Sequence, residues 1–111
     1  MAQKLELVKN NTESLLLCLI GQQPMYGYQI IKELEKRSQG YFIFKEGTLY
    51  PALHRLESAG LIQGKWQTLS SGRQRRYYYV TAKGSRVLVV KMNQWQDFLT
   101  AMNLIFQPAR I

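Results

Sequence analysis

Residues 45–79 read KEGTLYPALHRLESAGLIQGKWQTLSSGRQRRYYY, a short amphipathic helix pattern that runs directly into a basic β-hairpin pattern. Leu49, Leu53 and Leu56 recur at helical spacing and form the buried stripe, and Ala59-Gly60 closes the helix. Pro51 lacks an amide hydrogen and sits without cost only in a first helical turn. The helix is therefore expected to start around Glu46, with a bend or a missing hydrogen bond at Pro51 where Gly47 eases the crowding. Residues 61–69 and 75–80 read as two strands joined by Ser70-Ser71-Gly72.

On the N-terminal side, Leu5, Val8, Leu15, Leu16, Leu19 and Ile20 predict a first helix, interrupted at Asn10-Asn11, ending near Gly21 and stopped by Pro24. Tyr28, Ile31 and Leu34 form the stripe of a second helix, opposite a solvated face of Lys32, Glu33, Lys36 and Arg37. It should end at about Gln39, since Gly40 is a good C-terminal breaker. Residues 41–44 are an aromatic and β-branched connection suited to packing. On the C-terminal side, Thr81 or a neighbour caps a long helix carrying Leu88, Met92, Trp95, Leu99, Met102 and Phe106 at alternating spacings of four and three, as in a coiled-coil seam. Val87, Val90, Phe98 and Ile105 widen this strip. A helix of about seven turns leaves much of it in water unless a second subunit covers it.

The order helix, helix, helix, strand, strand, long helix describes a mainly α chain with a small β-hairpin: a winged helix-turn-helix in residues 1–81 and a dimerisation helix in residues 82–111. A chain of 111 residues with 46% hydrophobic content fits one such core without staples. The formal charge of +8 points to a polyanionic or acidic partner. Its placement is uneven: residues 1–44 hold five Lys/Arg against four Glu, while residues 65–76 hold four bases and no acid. Cys18 is the only cysteine, which excludes an intrachain disulfide; a Leu-flanked Cys on a helix reads as a small core side chain rather than a redox sensor. The longest apolar run, residues 15–20, is too short to span a bilayer, and Glu6 and Glu13 spoil a signal peptide, so the protein is expected to be soluble and cytoplasmic, with no membrane partner. One His, one Cys and seven scattered acids provide no metal cluster, no triad and no paired carboxylates, so neither an enzyme nor a cofactor is expected.

Three blocks in order, YGYQIIKELEKRSQG (residues 26–40), EGTLYPALHRLESAGLI (46–62) and SGRQRRYYYVTAKG (71–84), resemble the signature blocks of the PadR family of bacterial transcriptional regulators. With the tail, the resemblance covers nearly the whole chain. The single C-terminal helix is similar to the short branch of that family, including its multidrug-responsive members. Lys45 departs from the family, which often has Ser there, and this puts the usual side-chain cap of the third helix in doubt.

In a helix-turn-helix the recognition helix lies in the major groove and its first turns reach base edges. With the leucines committed to the core, Lys45, Glu46, Thr48, Tyr50, Pro51, His54 and Arg55 are left for the outer surface. The resemblance implies that Thr48, Tyr50 and Pro51 face DNA. His54 follows from the docking geometry alone, and Arg55 reads equally as a surface charge. Arg73, Arg75 and Arg76 around Gly72 form a basic fork for the DNA backbone or minor groove, with Arg73 and Arg75 on one strand face and Arg76 on the other. Tyr77 and Tyr79 fall on one face and Tyr78 on the other, which favours packing over base stacking, and Trp66 reads as a strand residue pinning the wing to the helices.

Two copies joined through their last helices would present recognition helices about 34 Å apart to a pseudo-palindromic double-stranded operator. The resemblance further implies a homodimeric repressor. In multidrug-responsive members, a tryptophan in the middle of the last helix pairs with its dimer mate and sandwiches planar aromatic compounds. Trp95 is similar in position, and Leu88, Met92, Phe98, Leu99 and Met102 accompany it as ligand or dimer-interface residues; a plain seam role explains the spacing as well. Two alternatives stand beside the DNA reading. A winged helix can serve as an interaction module for an acidic protein, which would favour an exposed apolar patch on the third helix, or it can bind single-stranded RNA.

Overall fold

The computed structural model describes residues 2–108, with side-chain surroundings from residue 11 onward. Helix α1 spans Ala2–Gln22, the short strand β1 Met25–Tyr26, α2 Gly27–Arg37, α3 Glu46–Ser58, strands β2 Ile62–Thr68 and β3 Gln74–Val80, and α4 Ala82–Phe106. Helix α1 is continuous through Asn10-Asn11, so the expected interruption is absent. Asn costs a helix only about 0.7 kcal/mol relative to Ala, which cannot break a helix anchored by Leu16, Leu17 and Ile20 in the core. The side chains of Leu5 and Val8 lie outside the described residues. Helix α1 ends at Gln22, next to Gly21 as expected. A Cβ on Gly21 would lie 2.6 Å from Leu88 Cδ2, so the glycine lets α4 pack closely across α1.

The buried stripe of α2 is Gly27, Ile30 and Leu34, with Ile31 half-buried, and Tyr28 is exposed with Lys32 5.3 Å from its ring centroid. The expected stripe was thus rotated by part of a turn: Ile30, not Tyr28, faces the core. The helix stops at Arg37, two residues short of expectation. The Ser38 hydroxyl donates to Leu34 O at 2.6 Å and accepts from Phe42 N at 2.8 Å, while Gln39 and Gly40 take positive φ of 53° and 82°. Of residues 41–44, Phe44 is buried whereas Tyr41 and Ile43 are exposed.

Helix α3 starts at Glu46, and its N-cap Lys45 makes no side-chain cap bond; its carbonyl accepts from Thr48 N and Leu49 N, both at 3.0 Å. Leu49, Ala52, Leu53 and Leu56 are buried. The hairpin closes with Leu69 N donating to Arg73 O at 2.7 Å and Gly72 at φ 87°. The sheet has a third strand: the order is β1-β3-β2, all antiparallel, with Met25 opposite Tyr78 and Tyr26 opposite Tyr77. Two residues are too few for an alternating pattern to announce. Thr81 caps α4, its hydroxyl accepting from Gly84 N at 3.0 Å. Gly84 is buried where a Cβ would run into the carbonyl oxygen of Leu61 and within 2.9 Å of Val80 Cγ2. From Val89 onward, α4 is exposed along its length except for half-buried Met102. Among the described residues no helix is long and apolar enough to cross a membrane.

Candidate nucleic-acid interface

At about 100° per residue, the apolar stripe of α3 centres between Leu49 and Leu56, and Gly47, Pro51 and His54 lie directly opposite it. Thr48 and Arg55 occupy one shoulder of this outward face and Tyr50 the other. Every one of these positions, with Lys45 and Glu46, is exposed. The face has no extended apolar patch: its large ring, Tyr50, is 44% exposed and partly covered by α2. That cover is specific. A Cβ on Gly27, the first residue of α2, would collide with the Tyr50 hydroxyl and sit 2.8 Å from its Cζ, so the phenol lies across the glycine. Arg55 is turned to α1, its Nε 2.7 Å from Glu13 Oε1. Both side chains are about half exposed, and such a surface pair contributes at most about 1 kcal/mol, leaving the guanidinium readily exchangeable.

The two faces of the wing differ. On the outer face, Arg75 lies 3.9 Å from the Tyr26 ring centroid, Tyr26 meets Tyr77 edge-on at 5.4 Å, and Lys65 lies 5.1 Å from the ring of Tyr79, whose hydroxyl accepts from Gln67 Nε2 at 2.6 Å. On the inner face, Tyr78 is 6% exposed and enters the core. Burial pushes its phenol above the ordinary value of 10.0, an effect partly offset by the neighbouring Arg76. Arg76 pairs with Glu57 in the last turn of α3, Nη2 to Oε2 at 2.7 Å, and the same carboxylate oxygen accepts from Gly64 N at 3.1 Å. Arg75 and Arg76 therefore point to opposite faces as expected. Arg73 lies in the turn before β3, where strand alternation does not govern it.

Trp66 does not pin the wing to the helices: it is 63% exposed. It shares the inner face with buried Ile62, and the Arg76 guanidinium lies 5.5 Å from its ring centroid. Glu57 and Tyr26 were not singled out by the sequence. Each acts through a partner far away in the chain, so no local pattern signals it.

On α4, Leu88 is half-buried against α1, while Met92, Phe98 and Leu99 are exposed and Trp95 is 37% exposed. Trp95 meets Phe98 edge-on at 5.7 Å, and with Gln94 they line a shallow open depression. No group of three His, Cys, Asp or Glu able to hold a metal occurs among the described residues.

Comparison with known proteins agrees with this fold. The sequence signature of the transcriptional regulator PadR-like family matches residues 16–89. A crystal structure of a PadR-like transcriptional regulator from Bacillus cereus is similar with a TM-score of 0.83 at 32% identity, over 94% of this chain and 99% of that one. One of a PadR family transcription regulator from Clostridium difficile has a TM-score of 0.75 at 34% identity, over 87% and 99%. Transcriptional regulator Rv3488 of Mycobacterium tuberculosis is 41% identical over 64 residues, 58% of this chain and 56% of that protein.

Proposed function

The chain belongs to the PadR-like family of transcriptional regulators, which are DNA-binding proteins and not enzymes, and from that premise we propose that it is a homodimeric repressor reading a pseudo-palindromic double-stranded operator. The observation that carries this reading is the outward face of α3. Glu46, Gly47, Thr48, Tyr50, Pro51, His54 and Arg55 are all exposed and form no extended apolar patch, which suits a major groove better than a protein partner. Thr48, Tyr50 and Pro51 read the bases, with His54 beside them; Lys45 and Arg55 flank the phosphates. Arg73 and Arg75 of the acid-free wing grip the backbone. The exposed apolar strip of α4 around Met92, Trp95, Phe98 and Leu99 is the dimer surface, and residues 82–111 act as the dimerisation unit appended to the DNA-binding residues 1–81. A planar aromatic effector entering between two Trp95 rings would release the DNA; the depression at Gln94, Trp95 and Phe98 supports this, since a second copy would close it into a flat slot. A DNA target places the protein in the cytoplasm.

Titration of promoter duplexes at several salt concentrations tests the reading. The logarithm of affinity should fall linearly with the logarithm of salt, by about 0.9 per phosphate neutralised. Arg73→Ala should weaken binding to all sequences alike and flatten the slope by about one, whereas Thr48→Ala should change sequence preference and leave the slope unchanged. A flat salt response, or identical behaviour of the two variants, overturns the assignment.

A further inference from the structure

The wing carries an exposed indole at the end of a chain of contacts that starts on the recognition helix. Along β2, burial falls from Ile62 at 2% exposed to Trp66 at 63% as the strand leaves the core. Arg76, opposite Trp66 in the register, lies 5.5 Å from its ring centroid. The guanidinium crosses Gly64, where a Cβ would come within 2.6 Å of Nη2, so a larger residue there would displace it. Glu57 then fixes it from α3, at 2.7 Å, and ties down the Gly64 amide on the open edge of β2 as well. The Arg76 charge is matched by this carboxylate, which leaves Lys65, Arg73 and Arg75 as the attractive charges of the wing.

We infer that Trp66 is a direct contact of the wing with duplex DNA, that Arg76 backs the indole instead of gripping phosphate, and that Glu57 is the positioning residue for both. The inference rests on the proposed DNA-binding function. The occupant follows from the charge of the wing: Arg73 in the turn, with Lys65 and Arg75 on the other face of the hairpin, suits the sugar edges and phosphates of a polyanion that meets the indole.

The test uses the full chain labelled with 5-fluorotryptophan. Its two tryptophans give two fluorine resonances, and Trp66→Phe identifies the one from the wing. On addition of promoter duplex, the Trp66 resonance should shift and saturate together with the anisotropy of the labelled duplex. Trp66→Ala should weaken binding about tenfold. Glu57→Ala should also weaken it, although the substitution removes a negative charge, and should add little in the Trp66→Ala background. A Trp66 resonance that stays put at saturating duplex overturns the inference, and so does an Arg76→Met variant whose salt slope is smaller by about one, since Arg76 would then be a phosphate contact. A resonance that moves with protein concentration instead of duplex would make this face a contact between copies of the chain. If Trp66→Ala fails to fold, the resonance of the unmutated chain still decides. A wild-type chain that binds no duplex removes the proposed function and this inference together, whereas binding without a Trp66 response removes the inference alone.

Discussion

Gly27→Ala separates binding from stability at the recognition helix. The added methyl group would collide with the Tyr50 hydroxyl and sit 2.8 Å from Cζ and 3.0 Å from Cε1. Ordinary carbon contacts begin near 3.5 Å, so the phenol must retreat by roughly 1 Å. The ring gives way before the backbone does, because it ends a flexible side chain that is 44% exposed. Ala is worth up to about 1 kcal/mol over Gly in a helix, which offsets the lost packing, so the melting temperature should move by less than about 5 °C. DNA binding should respond differently. On the proposed reading, displacing the Tyr50 hydroxyl from the duplex costs about 1 kcal/mol, or roughly fivefold in Kd. Anisotropy of a labelled operator measures this, and a double-mutant cycle with Tyr50→Ala assigns it: the effect of Gly27→Ala should nearly vanish once the phenol is gone. Wild-type affinity in Gly27→Ala, or an undiminished loss in the Tyr50→Ala background, would refute the reasoning.

Gly84→Ala should act on stability instead, because its methyl group meets the Leu61 carbonyl, a backbone atom that also accepts from Thr81 N at 3.0 Å. A loss of about 2 kcal/mol, near 10 °C in thermal melting at fixed protein concentration, is expected. Burial raises the Tyr78 phenol, so its stabilising contribution is fully present below the ordinary value of 10.0 and is lost as pH rises through the higher folded value. Urea midpoints measured from about pH 8 to about pH 11 should therefore fall less in Tyr78→Phe than in the wild type. For the proposed effector slot, a planar cationic dye should quench tryptophan emission, and Trp95→Ala should abolish both the quenching and the release of DNA by the dye. Unchanged dye affinity in that variant would dismiss the slot.

The local elements were legible because each is announced by neighbours in the chain. The leucine stripe and Glu46 start of α3, the turn at Gly72 and the Thr81 cap of α4 depend on residues a few positions apart, and all stand where the pattern puts them. Readings failed where burial is decided by distant segments. Tyr28 fits a helical stripe as well as Ile30 does, and only the tertiary packing of α2 selects Ile30. Asn10-Asn11 looks like a break until the leucines that follow are seen to be anchored in the core.

Sequence by itself thus determined the order of the helices and the hairpin, the basic wing and the family, since periodicity, turn residues and charge are properties of short segments. Only the tertiary structure decided which acid each basic residue meets. Arg55 meets Glu13 at a separation of 42 residues and Arg76 meets Glu57 at 19. The same is true of the glycines: Gly21, Gly27, Gly64 and Gly84 are punctuation in the sequence, and in the fold they are the places where Leu88, Tyr50, Arg76 and the Leu61 carbonyl come too close for a side chain. The fate of Trp66 changes for the same reason, because whether a strand residue is core or surface depends on where the helices beneath the sheet end, and no alternation along β2 records that.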